Sequence, residues 1–311
     1  MQFRSVDDLA LAIRKNLHKL PRDIDVVVGI PRSGLLPAGL IALHLNCVLT
    51  DVEGFNAGRA FAPGATRLMP SVKLSPEQWK NVLLVDDSTF SGRAMREAKE
   101  SLNLEGRNLT TCAVFGLNDP SRNVDLVFEV CAQPRIFEWN LLHHEYTESA
   151  CVDFDGVLCC DPSDDENDDG ERYRGFLANV APLYRPSRKV GAIVSSRLEK
   201  YRPECVEWLQ RHNVQYGQLF LLDLPTGEER RRRGIHASFK AEVYKQLKDS
   251  KIFLESEPGQ AAEIARLSGK AVIWTGGMVL YHESVTNKIK RKVHNTIRYR
   301  GNRLMEKIRR W

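Results

Sequence analysis

A chain of 311 residues, 42% hydrophobic and 27% charged, has the make-up of a globular protein and enough length for two domains with separate cores. It has no apolar run long enough to span a membrane, and its opening MQFRSVDDLA lacks a secretory apolar stretch, so a cytoplasmic protein is expected. The formal charge of +5 is uneven: residues 288–311 hold ten Lys and Arg and one acid, Glu306, a net +9 that leaves −4 on the remainder.

Taken in chain order, Val6, Leu9, Ala10, Ile13 and Leu17 share one helical face within 5–19. An apolar strand over 25–30 follows, then the turn Pro31-Arg32-Ser33-Gly34 and a helix to about residue 44. Residues 52–70 are rich in Gly, Arg and Pro, have no period and read as a mobile loop. Strands are expected at 82–85, 110–115 and 124–130, with a helix over 92–102. The pattern becomes irregular over 132–149. Further strands are expected at 150–154, 190–194, 218–222, 252–255 and 271–274, with helices between them and an exposed acidic loop over 161–169. Strands alternating with helices imply parallel sheets covered on both faces. The expected layout is α/β: one domain over 1–140, a second over 150–280, and a basic tail over 281–311. Seven scattered cysteines fit reduced, buried thiols, and no second Cys/His pair completes a zinc spacing with Cys159-Cys160.

The segment VLLVDDSTFSGRAM, residues 82–95, runs from a strand into Asp86-Asp87, a short loop and a helix starting near Gly92. A helix N-terminus suits a phosphate; Ser88, Thr89 and Ser91 add hydroxyl donors, and Gly92 lets the backbone approach the anion. Two adjacent carboxylates cannot bind that anion themselves, but they suit ribose hydroxyls and a bound cation. This pattern resembles the phosphoribosyl pyrophosphate (PRPP) motif of type I phosphoribosyltransferases, over roughly residues 1–135. The resemblance implies that VVVGIPRSGLLPAGL places Arg32, Ser33 and Gly34 at the diphosphate. It also implies that the 52–70 segment is the flexible catalytic loop, with Arg59 and Arg67 neutralising the departing pyrophosphate. Thr89 and Phe90 depart from the family's smaller or aliphatic residues and narrow the loop, and no nucleobase-binding element is recognisable. For a hydroxyl acceptor the general base would be Asp51, Glu53 or Asp87.

The segment CVDFDGVL, residues 151–158, ends a strand in Asp153-Phe154-Asp155-Gly156, where the glycine permits a turn that brings the second carboxylate back over the first. It resembles motif one of the haloacid dehalogenase superfamily, most of whose members are magnesium-dependent phosphatases. That resemblance makes Asp153 the nucleophile and Asp155 the acid and base. Ser195, at the end of GAIVS, becomes a phosphoryl donor and Lys240 a cation for the transition state. Glu255 or Glu257 would complete magnesium coordination with Asp153 and the Asp155 carbonyl. The interval between the first two motifs is too short for a large cap, so an open site and a bulky substrate are expected. The run Arg230–Arg233 could grip an anionic substrate near this site.

In the tail, Val285, Ile289, Val293, Ile297, Leu304, Ile308 and Trp311 recur at about helical spacing among basic residues. Such a segment suits an anionic membrane surface or, as a plain alternative, packing on the protein; nucleic acid is the lesser reading.

Together the resemblances imply a bifunctional enzyme. It would transfer 5-phosphoribose from PRPP to an acceptor hydroxyl, then remove the 5-phosphate to leave ribofuranose, similar to enzymes of bacterial polysaccharide biosynthesis with glycan or glycolipid acceptors. The alternatives are a nucleobase phosphoribosyltransferase joined to a nucleotidase, and a PRPP-binding regulator without turnover.

Overall fold

The computed structural model describes residues 1–61, 73–117 and 124–282; Arg67 and the basic tail fall outside them. The chain divides into two compact units, Met1–Trp139 and Asn140–Trp311.

The first unit contains β1 (Gln2–Arg4), α1 (Val6–Asn16), β2 (Val26–Gly29), α2 (Leu35–Leu45), β3 (Val48–Asp51), α3 (Val52–Asn56), β4 (Asn81–Ser88), α4 (Arg93–Ser101), β5 (Asn108–Gly116), β6 (Leu126–Val130) and β7 (Arg135–Phe137). Its main sheet is entirely parallel, in the order β3-β2-β4-β5-β6, and β1 pairs with β7 in a separate two-stranded sheet. Alternation along the strands feeds two cores. Val27, Leu83, Val85 and Val114 pack with Leu9, Ile13, Ala38 and Ile41 of α1 and α2. Val26, Val28, Val82 and Leu84 pack on the other face with Phe55, Trp79, Met95 and Leu102. α1 starts at a capping box in which Ser5 and Asp8 satisfy each other's backbone N–H groups.

The second unit contains β8 (Ala150–Val152), α5 (Glu171–Asn179), β9 (Val190–Leu198), α6 (Arg202–Arg211), β10 (Tyr216–Leu222), α7 (Gly227–Arg233), α8 (His236–Gln246), β11 (Ile252–Glu255), α9 (Pro258–Ser268), β12 (Val272–Trp274) and β13 (Val279–Tyr281). Its sheet runs β10-β9-β8-β11-β12-β13, parallel except for β13. Cys151, Val194, Phe253 and Val272 form a core with Tyr244 and Ile264.

The structure corrects several expectations. The segment expected to lack a period begins with α3, whose N-cap Asp51 accepts from Gly54 N–H. The irregular stretch over 132–149 holds β7 and short 3₁₀ turns. β9 does not end at Ser195: it runs on to Leu198, because Ser196 and Arg197 are buried rather than leading into a loop. β3 was not among the expected strands; unlike β2 and β11 it is not a run of fully buried residues but alternates buried and half-buried ones.

In both units the strand order reverses beside a central strand, between β2 and β4 in one and between β8 and β11 in the other. Loops leaving the carboxyl ends of such strands diverge and open a crevice, the usual ligand position in α/β sheets.

Candidate active sites

In the first unit the crevice brings Ser33, just past β2, to Asp87, near the end of β4. Ser33 Oγ donates to Asp87 Oδ1 at 2.9 Å. Trp139 Nε1 donates to Asp87 Oδ2 at 2.7 Å, so both carboxylate oxygens are held. The Trp139 ring is stacked on Phe137 at 4.8 Å between centroids, and Phe137 on Phe115 at 5.6 Å. Asp86 accepts from Asp87 N–H at 2.9 Å. Burial, then the charge of Asp87, pushes the Asp86 carboxyl up to about 8, with Arg135 drawing it partly back. Arg135 is buried and donates to the carbonyls of Thr89 at 2.9 Å and Cys131 at 3.0 Å, fixing the loop from behind.

Gly92 holds φ = 71° ahead of α4, a left-handed conformation that favours glycine. Gly34 is needed for close approach instead: an added Cβ would meet Ile30 O at 2.6 Å and Val85 O at 2.9 Å. Arg32, Phe90 and Ser91 are exposed and Ser88 half-buried, around this helix start and the Pro31–Gly34 turn. Thr89 differs from expectation. It is 4% exposed, its methyl lies against Gly116, and its hydroxyl has no partner, so it packs inward instead of lining the loop surface. Arg59 is exposed beyond α3.

In the second unit one ammonium joins the candidate acids. Lys240 Nζ, from α8, donates to Asp153 Oδ2 at 2.6 Å, Glu255 Oε2 at 2.7 Å and Gln260 Oε1 at 3.0 Å. Lys240, Asp153 and Glu255 are all buried. Burial pushes the carboxyls of Asp153 and Glu255 up, that of Glu255 to about 7. The two carboxylates outweigh the desolvation of Lys240 and keep its ammonium charged. When both carboxylates are ionised, they exceed the one ammonium by one negative charge.

Asp155 turns back at Gly156, whose φ is 69°. Its carboxylate meets Arg197, and its carbonyl accepts from Ser256 Oγ at 3.2 Å. Ser195 is 1% exposed, and its Oγ accepts from Arg197 N–H at 3.3 Å. Glu257 is pulled away from the acids: it caps α9, accepting from Gly259 N–H at 3.0 Å and from Gln260 N–H. Of the two glutamates, the buried Glu255 is the one beside Asp153.

Sequence reasoning missed Trp139, Arg135, Arg197 and Gln260. Only Arg197 carried a signal, as a charged residue continuing an apolar strand.

Both sites offer only oxygen donors, which suits magnesium. In the second unit the uncompensated charge on Asp153 and Glu255 fits a hard divalent cation. Among the described residues no group of three or more His, Cys, Asp or Glu could enclose a metal ion, so substrate or water oxygens would have to complete the shell.

Residues 2–140 match the family model for the phosphoribosyl transferase domain. The xanthine-guanine phosphoribosyltransferase of Chromohalobacter salexigens is 34% identical over 99 residues, 32% of this chain and 59% of that relative. The chain therefore spans about three-fifths of the length of this curated relative. Among solved structures, the Helicobacter pylori xanthine-guanine-hypoxanthine phosphoribosyltransferase aligns at 14% identity and TM-score 0.34, over 44% of this chain and 92% of that one. A purine phosphoribosyltransferase from Pyrococcus horikoshii aligns at 21% identity and TM-score 0.32, over 44% and 92%. Residues 2–140 of this chain constitute a phosphoribosyl transferase domain of type I.

Proposed function

We propose that the first unit transfers 5-phosphoribose from PRPP to a purine-type nucleobase, releasing pyrophosphate, and that the second hydrolyses the phosphomonoester produced. The observation that carries the first half is Asp87, a buried carboxylate held from both sides by Ser33 and Trp139 at a parallel-sheet crevice. So fixed, it can accept hydrogen bonds from ribose hydroxyls while the α4 N-terminus takes the 5-phosphate. The turn Arg32–Gly34 would receive the diphosphate, and Arg59 would offset charge as it departs. Bound magnesium would supply further charge neutralisation on the leaving diphosphate.

The likeness to a xanthine-guanine phosphoribosyltransferase favours a nucleobase acceptor over the glycan hydroxyl expected from sequence. The aromatic stack of Trp139 on Phe137 beside Asp87 supports a planar acceptor. The membrane-seeking tail that favoured a glycolipid lies outside the described residues.

In the second unit Asp153 Oδ would attack phosphorus, the ester P–O bond would break, and the leaving oxygen would take a proton from the Asp155 carboxyl. Water would then hydrolyse the aspartyl phosphate, giving its proton to Asp155. Ser195 and Lys240 would stabilise the phosphoryl charge.

Incubation with PRPP, magnesium and guanine or xanthine should give nucleotide and pyrophosphate, followed by inorganic phosphate. PRPP turnover that yields no nucleotide with any purine base would remove the nucleobase reading. Nucleotide accumulating without phosphate release would remove the second half.

A further inference from the structure

Only one of the four arginines 230–233 has no carboxylate partner and faces inward. Arg232 and Arg233 pair with Glu229 on their own helix, and Arg231 is exposed. Arg230 is half-buried; its Nη1 donates to the Ser196 carbonyl at 3.0 Å and its Nη2 to Asn167 Oδ1 at 3.3 Å. No carboxylate pairs with it among the described residues, and its buried Nε–H has no partner. The hydroxyl of Ser196, a residue 8% exposed, is also buried and unpartnered.

Ser196 follows Ser195 on β9, the residue that the phosphomonoesterase reading places at the phosphoryl group, and Arg230 holds the Ser196 carbonyl. Leaving a buried donor unpaired costs its full desolvation penalty. A guanidinium half out of water without a counter-charge costs more than a neutral donor. Both costs vanish when an anion with several oxygens is bound, because the guanidinium fork matches phosphate geometry. Arg230 and Lys240 both lie close enough to His236 to help burial hold its imidazole below the ordinary range, which puts Arg230 in the same neighbourhood as the candidate acids' ammonium.

We propose that Arg230 and Ser196 form an anion subsite beside the phosphoryl position, so that the second unit prefers phosphomonoesters carrying a second phosphate. The proposal rests on the phosphomonoesterase reading of that unit.

The test uses the full chain and two substrate pairs: ribose 5-phosphate against ribose 1,5-bisphosphate, and guanosine 5′-monophosphate against guanosine 3′,5′-bisphosphate. The wild type should show a KM at least about tenfold lower for one bisphosphate than for its monophosphate, the size expected of one charge-assisted contact. Arg230→Gln should erase that ratio, Arg230→Lys should keep part of it, and Arg232→Gln should leave it intact. Thermal unfolding of each variant separates loss of the fold from loss of the contact, and Arg230→Lys carries the test if Arg230→Gln does not fold. Monophosphate hydrolysis with no preference for either bisphosphate, or a preference that survives Arg230→Gln, would overturn the subsite while leaving the phosphatase reading intact. Absence of any phosphomonoester hydrolysis by the wild type would instead remove the reading beneath it, and the subsite with it.

Discussion

Arg197 grips Asp155 with two of its nitrogens: Nε lies 3.1 Å from both carboxylate oxygens and Nη2 lies 2.5 Å from Oδ1. The arginine side chain is completely buried, and its guanidinium lies 3.7 Å from the Phe154 ring centroid. Cys159 and Cys205 sulfurs accept from its remaining donors at 3.2 and 3.5 Å. A carboxylate held this way is aimed by the guanidinium, as taking a proton from water requires. Delivering a proton to a leaving group would require Asp155 to break from Arg197 first. The acid and base halves of its proposed role therefore call for different side-chain positions.

Asp155→Asn leaves the Arg197 guanidinium buried without its counter-charge. Removing one partner of such a pair costs about 3–5 kcal/mol. A fall in the thermal midpoint of the second unit, followed by circular dichroism, checks this; an unchanged midpoint would show that the pair contributes nothing to stability.

Asp153→Asn should behave differently, because Lys240 keeps Glu255 and Gln260 as partners. The fold should survive while phosphate release drops by at least about a thousandfold, as expected for loss of a nucleophile. Folded protein that still releases phosphate at the wild-type rate would dismiss Asp153 from that role.

Asp25 gives the first unit a pH dependence. Burial pushes its carboxyl up, but Lys73 and the N–H groups of Asn81 and Lys80 outweigh burial and hold it below the ordinary range. A carboxyl lowered by folding adds stability above its unfolded value near 3.9, and that stability is lost as pH falls through the folded value. Asp25→Asn should lower stability by roughly 1–3 kcal/mol at neutral pH and flatten the acid limb of the unfolding profile. Parallel acid limbs in wild type and variant would contradict the assignment.

Gly34→Ala puts a methyl against the carbonyls of Ile30 and Val85 and, at 3.0 Å, against Asp86 Oδ1. Two of these are backbone atoms that cannot swing aside, so overpacking should cost about 1–3 kcal/mol. Displacement of the turn should cut nucleotide formation from PRPP and guanine by about a hundredfold. A variant with wild-type turnover would show that the turn does not position the diphosphate.

Much of this was readable from residues because it is local. The Val-rich runs before Pro31 and Asp86 are buried strands, and an acid followed by a glycine marks the exits of β4 (Asp86 to Gly92) and β8 (Asp153 to Gly156). What was not readable depends on long-range contacts. Trp139 reaches Asp87 across 52 residues and Arg135 reaches Thr89 across 46, from a stretch with no period of its own. The strand end expected at Ser195 lies at Leu198 instead, because Ser196 and Arg197 are buried and hydrogen-bonded on β9. Between the two glutamates left open by sequence, Glu257 carried a local cue: it is followed by Pro258 at the first turn of α9, a standard helix-start signature, and it caps that helix.

The single ammonium that ties α8 to β8 and β11 makes reactivity and cohesion in the second unit inseparable. If α8 lifted even briefly, two carboxylates would be stranded in an apolar interior, so the excursion should be rare and steeply disfavoured. Amide protons along β8 and β11 should consequently exchange only through opening of the whole unit, and heat should extinguish turnover and slow exchange at the same temperature.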